Sequence, residues 1–306
     1  MPNWKSIIDE LKATGGAHDV IRRKYLAKLF KLTGRNVIAY YSGWLQKSGA
    51  QKQGVPFELN DSDKNGFMTS IHKLDKSKGL DLILHTPGGS TSAMESLVDY
   101  LRSCFGKDIR AIVPQLAMSA GTMISLSCKE IVMGKHSSLG PIDPQINGMP
   151  AHAIIEEFKR AINEINTIPG AMHAWQPIIA KYPPTLISAA EKSIIWSNQI
   201  VKDWLVSGMF DGDPEADIKA DRIVTELGDH TLTKAHDRHI SMAKAQSFGL
   251  KISQLESDPA LQDAVLSIHH AFVQTLSSSA AFKIIENHKG VAFVQQMQSV
   301  LFAESS

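Results

Sequence analysis

Three short apolar runs dominate the middle of the chain: LDLILHT (Leu80–Thr86), DIRAIVPQ (Asp108–Gln115) and KEIVMG (Lys129–Gly134). The first stops at Pro87-Gly88-Gly89, so it reads as a buried strand ended by a turn. Ser90 to Phe105 then carries apolar residues at 93/94, 97, 100/101 and 104/105, which is helical spacing. Ser119 to Leu126 reads as a shorter helix opening on Ala120-Gly121-Thr122. Strand–helix–strand–helix–strand within roughly 55 residues predicts parallel strands joined by right-handed crossovers. Ligands of such α/β sheets sit at the carboxyl ends of the strands. Pro87-Gly88-Gly89 and Met118-Ser119-Ala120-Gly121 both fall there.

The flanks are less regular. Trp4 to Leu32 reads as helical, and Asn36–Leu45 as a strand running into a turn. Gly49 to Gly66 is polar and reads as a loop. From Ala151 strand signals fade: Ala151–Ile165, Leu186–Val206, Pro214–Leu227, Ser241–Phe248 and most of Asp258–Leu301 read as helices. The expected division is an N-terminal helical segment (1–35), an α/β core (36–165) and a helical extension packed on it (166–306).

Composition narrows the function classes. Of 306 residues, 43% are hydrophobic and 21% charged, which excludes a disordered, collagenous or disulfide-scaffold chain. Thirty-two Lys plus Arg against 31 Asp plus Glu leave a net charge of +1. That balance argues against a broad nucleic-acid or anionic-membrane footprint and removes one barrier to self-association. Two cysteines, Cys104 and Cys128, make neither a disulfide framework nor a four-cysteine zinc site and read as buried thiols. Lys5, Asp9, Glu10 and Lys12 interrupt the N-terminus where a signal peptide needs an apolar run. No stretch reaches the ~18 apolar residues of a membrane span. The expectation is a soluble, cytoplasmic protein.

Chemistry concentrates at the two small-residue turns. Gly88 and Gly89 permit close backbone approach and can present N–H groups to a ligand. Ser119, at a strand-to-helix junction, has its hydroxyl where the helix dipole and free N–H groups favour a developing oxyanion. Ala117 two residues earlier rules out a G-x-S-x-G elbow. On local sequence alone Ser119 is either a nucleophile or a helix cap. Asp61-Ser-Asp63-Lys-Asn65-Gly66 begins like a calcium loop but has His72 in place of the closing Glu. His236, His239, His269 and His270 lack an H-E-x-x-H frame, and no Gly-rich loop ends in Gly-Lys-Ser/Thr. No metal or cofactor is expected.

LHTPGGS, AMSAGTM and GKHSSLGPIDPQ (Gly134–Gln145), in this order, resemble the Clp/crotonase-fold serine proteases. The likeness is greatest to the serine dehydrogenase proteinase family, related to signal peptide peptidase A and the Clp proteolytic subunit. It runs from Arg22 to Gln145 and continues more weakly in GDHTLTKAH (Gly228–His236) and KIIENHKG (Lys283–Gly290). The resemblance implies a Clp/crotonase-like parallel core, Ser119 as nucleophile, and Gly88, Gly89 and Ala120 as the oxyanion hole. The base is less direct. Clp subunits use a histidine in the region corresponding to Ser138–Gln145, where this chain has none. Relatives of signal peptide peptidase A use a lysine on the next helix. Lys159 lies 40 residues after Ser119, four after Ile155 and three before Ile162, at the edge of an apolar stripe. Half-burial there would lower its pKa and make it a base; the alternative is a lysine that packs its stem and wets its head. Lys192 is the reserve. His136 and Asp143 are read as supporting groups or as a structural histidine and a turn residue, and His85 as packing at its strand end.

What the resemblance implies is a serine endopeptidase with a Ser119–Lys159 dyad, assembled as a homo-oligomeric ring and acting on soluble or membrane-protein polypeptides. Two rivals stand beside it. A crotonase-type acyl-CoA enzyme would need a carboxylate near the site and no nucleophilic serine. A non-catalytic scaffold would keep the fold for assembly alone.

Overall fold

The computed structural model describes residues 4–228 and 238–297. Helices α1 (Trp4–Ala13) and α2 (His18–Thr33) lead into strand β1 (Asn36–Ser42). The single turn α3 (Ser48–Gln51) and helix α4 (Asp61–Ile71) precede β2 (Leu80–His85). Then come α5 (Thr91–Phe105), β3 (Ile109–Val113), the two-residue β4 (Leu116–Ala117), α6 (Ala120–Leu126) and β5 (Glu130–Met133). Short strands β6 (Ser138–Leu139), β7 (Gln145–Ile146) and β8 (Met149–Pro150) lead to α7 (Ala151–Thr167), α8 (Ala171–Ile179), α9 (Leu186–Trp204) and α10 (Ala216–Gly228). The later elements are β9 (Ile240–Ser241), α11 (Met242–Phe248), β10 (Ile252–Gln254), α12 (Pro259–Ser278), β11 (Ala281–Asn287) and β12 (Ala292–Gln296).

Seven strands form the central sheet in the order β10-β5-β3-β2-β1-β11-β12. The first five run parallel; β11 is antiparallel to β1 and β12 antiparallel to β11. Every residue of β1 and β2 is buried, as expected where helices cover both faces of a parallel sheet. Alternate residues divide between the faces. Ile38, Tyr40, Leu82 and Leu84 pack under α4, α5 and α6, in a core that α9 and α10 close. Val37, Ala39, Tyr41 and Ile83 pack under α1, α2 and α12. A separate small cluster joins Ala151 and Ile154 of α7 to Leu186 and Ala190 of α9. No described helix is long and apolar enough to cross a membrane.

Two local expectations are corrected. The polar stretch before Gly66 is not all loop: Asn60 caps α4, its side chain accepting from Ser62 N while Asp63 accepts from Asn60 N. Within 258–297, the described part of the stretch read as mostly helical, the helix ends at Ser278 and β11 and β12 follow. Part of the segment read as a helical extension therefore belongs to the central sheet. Ala281, Phe282, Ile284 and Ile285 fit a helical stripe as well as a strand, and buried Lys283 and Glu286 hide the apolar run.

Candidate active site

Ser119 sits in a sharp elbow between β4 and α6, with φ 48° and ψ −114°. A non-glycine residue in that region costs about 1–3 kcal/mol, so its surroundings must hold it there. They do so from both sides. Thr86 N donates to Leu116 O (3.1 Å) and Met118 N to Thr86 O (3.1 Å), tying the elbow to the end of β2. The Thr122 hydroxyl donates to Ala117 O (2.7 Å) and accepts from Gly140 N (2.9 Å). Ser119 is the N-cap residue of α6 by position, yet its side chain makes no capping bond. That distinguishes a presented hydroxyl from a helix cap.

Glycines let the backbone close in around this serine. A Cβ on Gly88 would lie 2.7 Å from Ser119 Cβ, and one on Gly140 would lie 3.1 Å from Ser119 N. Gly88 also has φ +105°, which L side chains rarely adopt. Its N–H donates to Thr86 Oγ1 (3.2 Å), and its lack of a side chain lets the turn approach Ser119 closely. Gly89 is different. Leu59 N donates to Gly88 O (2.7 Å) and Ser90 N donates to Leu59 O (2.9 Å), a parallel bridge centred on Gly89. Peptide groups alternate in direction along an extended chain, so the Gly89 N–H points away from Leu59. Ala120 is the first residue of α6, and its N–H has no carbonyl within its own helix. Neither the Leu59 bridge nor the helix itself thus occupies the Gly89 and Ala120 N–H groups.

A cleft of about 360 Å³ opens at this point, lined among others by Glu58, Ser90, Ser119, Ile142, Asp143 and Gln145. Asp143 is buried and Glu58 exposed. The sequence expectations for bases fare unevenly. Lys159 is exposed on α7 and is not among the residues lining the cleft, which corrects the half-buried setting expected for it. The reason is that α7 buries Ile154 and Ala161, while the Lys159 edge of its stripe faces solvent. Lys192 is likewise exposed on α9. His136 lies outside the cleft, with its Nδ1 4.0 Å from Glu256 Oε1. His230 and His236, in the weaker resemblance, lie outside the described residues. Sequence reasoning missed Leu59, Thr86, Thr122 and Gly140. Only Gly140, in Leu139-Gly140-Pro141, carried a local signal, and its function depends on a contact with Met118.

His85 packs as expected, immediately before the turn. It is fully buried against Trp44 (ring centroids 4.5 Å apart), Tyr41 (5.4 Å) and His269 (5.2 Å). Burial pushes its pKa down to about 3, so the ring is neutral.

A serine elbow at positive φ stands at the carboxyl ends of a parallel sheet, against a glycine turn, an arrangement that presents the serine hydroxyl to the cleft. The chain belongs to the ClpP-like SDH-type serine proteinases: residues 22–260 match that family. It is also similar to two uncharacterized proteins of Methanocaldococcus jannaschii. One is 29% identical over 202 residues, covering 65% of this chain and 61% of that protein. The other is 38% identical over 109 residues, covering 35% of this chain and 38% of that protein. The chain spans less than two thirds of either relative.

Proposed function

We propose that the chain hydrolyses peptide bonds through an acyl-enzyme on Ser119. The observation that carries this reading is the uncapped, strained Ser119 set between the Gly89 and Ala120 N–H groups. Ser119 Oγ attacks the carbonyl carbon, the carbonyl oxygen takes the negative charge, and those two N–H groups hold it. Each such donor contributes about 3 kcal/mol to acylation in well-studied cases. Water then releases the acyl group by the reverse sequence. Asp143, buried and lining the same cleft, is the carboxylate that takes the Ser119 proton as Oγ attacks and passes it to the departing amine. Exposed Ile162, Ile168, Met172 and Ile195 around α7, α8 and α9 support self-association.

The test is a fluorophosphonate probe followed by peptide mapping. Labelling is expected on Ser119 and lost in Ser119→Ala; labelling that survives that substitution sinks the assignment. Lys159→Ala is expected to leave the labelling rate within about twofold, because Lys159 is exposed and outside the cleft. Loss of labelling there would restore the lysine dyad. The acyl-CoA reading draws on the same carboxylate, and acyl-CoA binding without probe labelling would favour it.

A further inference from the structure

We infer that Lys283 is a positioning residue for the oxyanion turn, acting from the C-terminal strand through the segment Phe57–Asn60. This rests on the peptidase reading of Ser119. Lys283 is on β11, and its side chain is 1% exposed. Its ammonium donates to Asp63 Oδ2 (3.0 Å) and to the backbone carbonyl of Glu58 (2.9 Å). The same Asp63 oxygen accepts from Asn60 N (3.0 Å) and from the Tyr40 hydroxyl (3.1 Å). Four bonds therefore converge on one buried node that joins β1, β11, the start of α4 and the Glu58–Asn60 backbone.

The next residue in that backbone is the one that matters to the site. Leu59, between Glu58 and Asn60, makes the bridge that flanks Gly89 on both sides. A Cβ on Gly89 would collide with the Leu59 backbone, so the two segments touch with no side chain between them. The direction of the Gly89 N–H is thus set by where Leu59 lies. Leu59 in turn lies where the Lys283 node holds its neighbours. The other bonds to this segment's backbone are local or reach only its ends: Phe57 N donates to Val55 O (3.0 Å), Ser42 Oγ to Phe57 O (2.8 Å), Asn60 Nδ2 to Glu58 O (3.2 Å) and Asp63 N to Asn60 O (3.0 Å). A buried ion pair is weak evidence for stability, since desolvation offsets its attraction. Its value here is register. The charged node fixes which carbonyl meets Lys283, and a slip of one residue would turn the Leu59 N–H and carbonyl away from the turn.

The test compares two neutral pairs, so that no stranded buried charge decides the result. Lys283→Met with Asp63→Asn removes the donor that β11 supplies to the Glu58 carbonyl, leaving only the local one from Asn60 Nδ2; Lys283→Gln with Asp63→Asn restores a donor from β11. Amide exchange at Leu59 and Ser90 is measured with the fluorophosphonate labelling rate, resolved into a maximal rate and a half-saturating concentration. The Met pair is expected to lose protection at both amides. Its maximal labelling rate should fall by roughly 10²-fold, the cost of a misplaced catalytic group, with the half-saturating concentration unchanged. The Gln pair is expected to recover both. Retained protection in a folded Met pair, equal behaviour of the two pairs, or lost protection at an unchanged rate each overturns the inference. A wild type that never labels refutes the peptidase reading instead, and the exchange comparison then decides the clamp alone.

Discussion

Acid should weaken this protein through His85, by an amount the structure sets. The ring is fully buried at the end of β2, and neither nitrogen has a hydrogen-bond partner among the described residues. The neighbouring Leu116 carbonyl already accepts from Thr86 N. Burial lowers the pKa from 6.5 to about 3. Between those values the unfolded chain binds a proton at this site that the folded chain refuses. The contribution is therefore fully present above pH 6.5 and is lost as pH falls towards 3, with a slope of about 1.4 kcal/mol per pH unit. At pH 5 the loss is about 2 kcal/mol. His269, pushed well below its ordinary value by burial and then by His85, tilts stability the same way. The perturbation is His85→Phe, which keeps an aromatic ring against Trp44 and removes the titrating group. The assay is urea unfolding of both proteins at pH 7.5 and pH 5. The wild type is expected to lose about 2 kcal/mol more than the variant over that interval. Parallel losses would show that the His85 ring takes up a proton in the folded state, and the burial argument would fail.

Two further substitutions probe the site and the frame. Gly88→Ala puts a methyl group 2.7 Å from Ser119 Cβ at φ +105°; labelling of Ser119 should fall by at least roughly 10²-fold while far-ultraviolet circular dichroism is preserved. Arg22→Met removes the nearer of two partners from Glu286, a fully buried carboxylate that Arg22 Nε meets at 2.6 Å and Arg23 Nε at 3.4 Å, so the cost falls towards the low end of the range for breaking a buried pair. It should be about 3 kcal/mol, read as a lower unfolding midpoint in urea.

The α/β core was legible because its signals are local. LDLILHT and DIRAIVPQ are short runs dominated by apolar residues, and each ends near a turn that glycine or a small residue permits. The elbow at Ser119 was legible for the same reason, since Gly121 beside it leaves no room for a Cβ against Thr86. What sequence reasoning lost was settled at long range. Asp63 resembled the start of a calcium loop because its two roles, capping α4 and meeting Lys283, involve residues that the local run does not contain. Lys159 looked half-buried because its helix has an apolar stripe. The stripe packs on α9 and leaves that lysine in solvent.

β11 is the clearest instance, and its two buried charges explain both why it was unreadable and why it is specified. Lys283 and Glu286 are three residues apart, so in a strand they point to opposite faces. Lys283 meets Asp63 of α4 on one face, and Glu286 meets Arg22 of α2 on the other. One strand is thereby pinned to both helical layers, with a positive charge on one side and a negative charge on the other. Slipping by one residue would send each charge to the opposite layer, where Lys283 would face Arg22 and Glu286 would face Asp63. Like charges buried together are the costliest arrangement available, so the slip is excluded far more firmly than an apolar strand could exclude it. The polar residues that break the hydrophobic pattern are the ones that fix the register. Because Leu59 is held from Lys283, that register reaches the Gly89 turn, and the end of the chain sets the geometry of a site built more than 150 residues earlier.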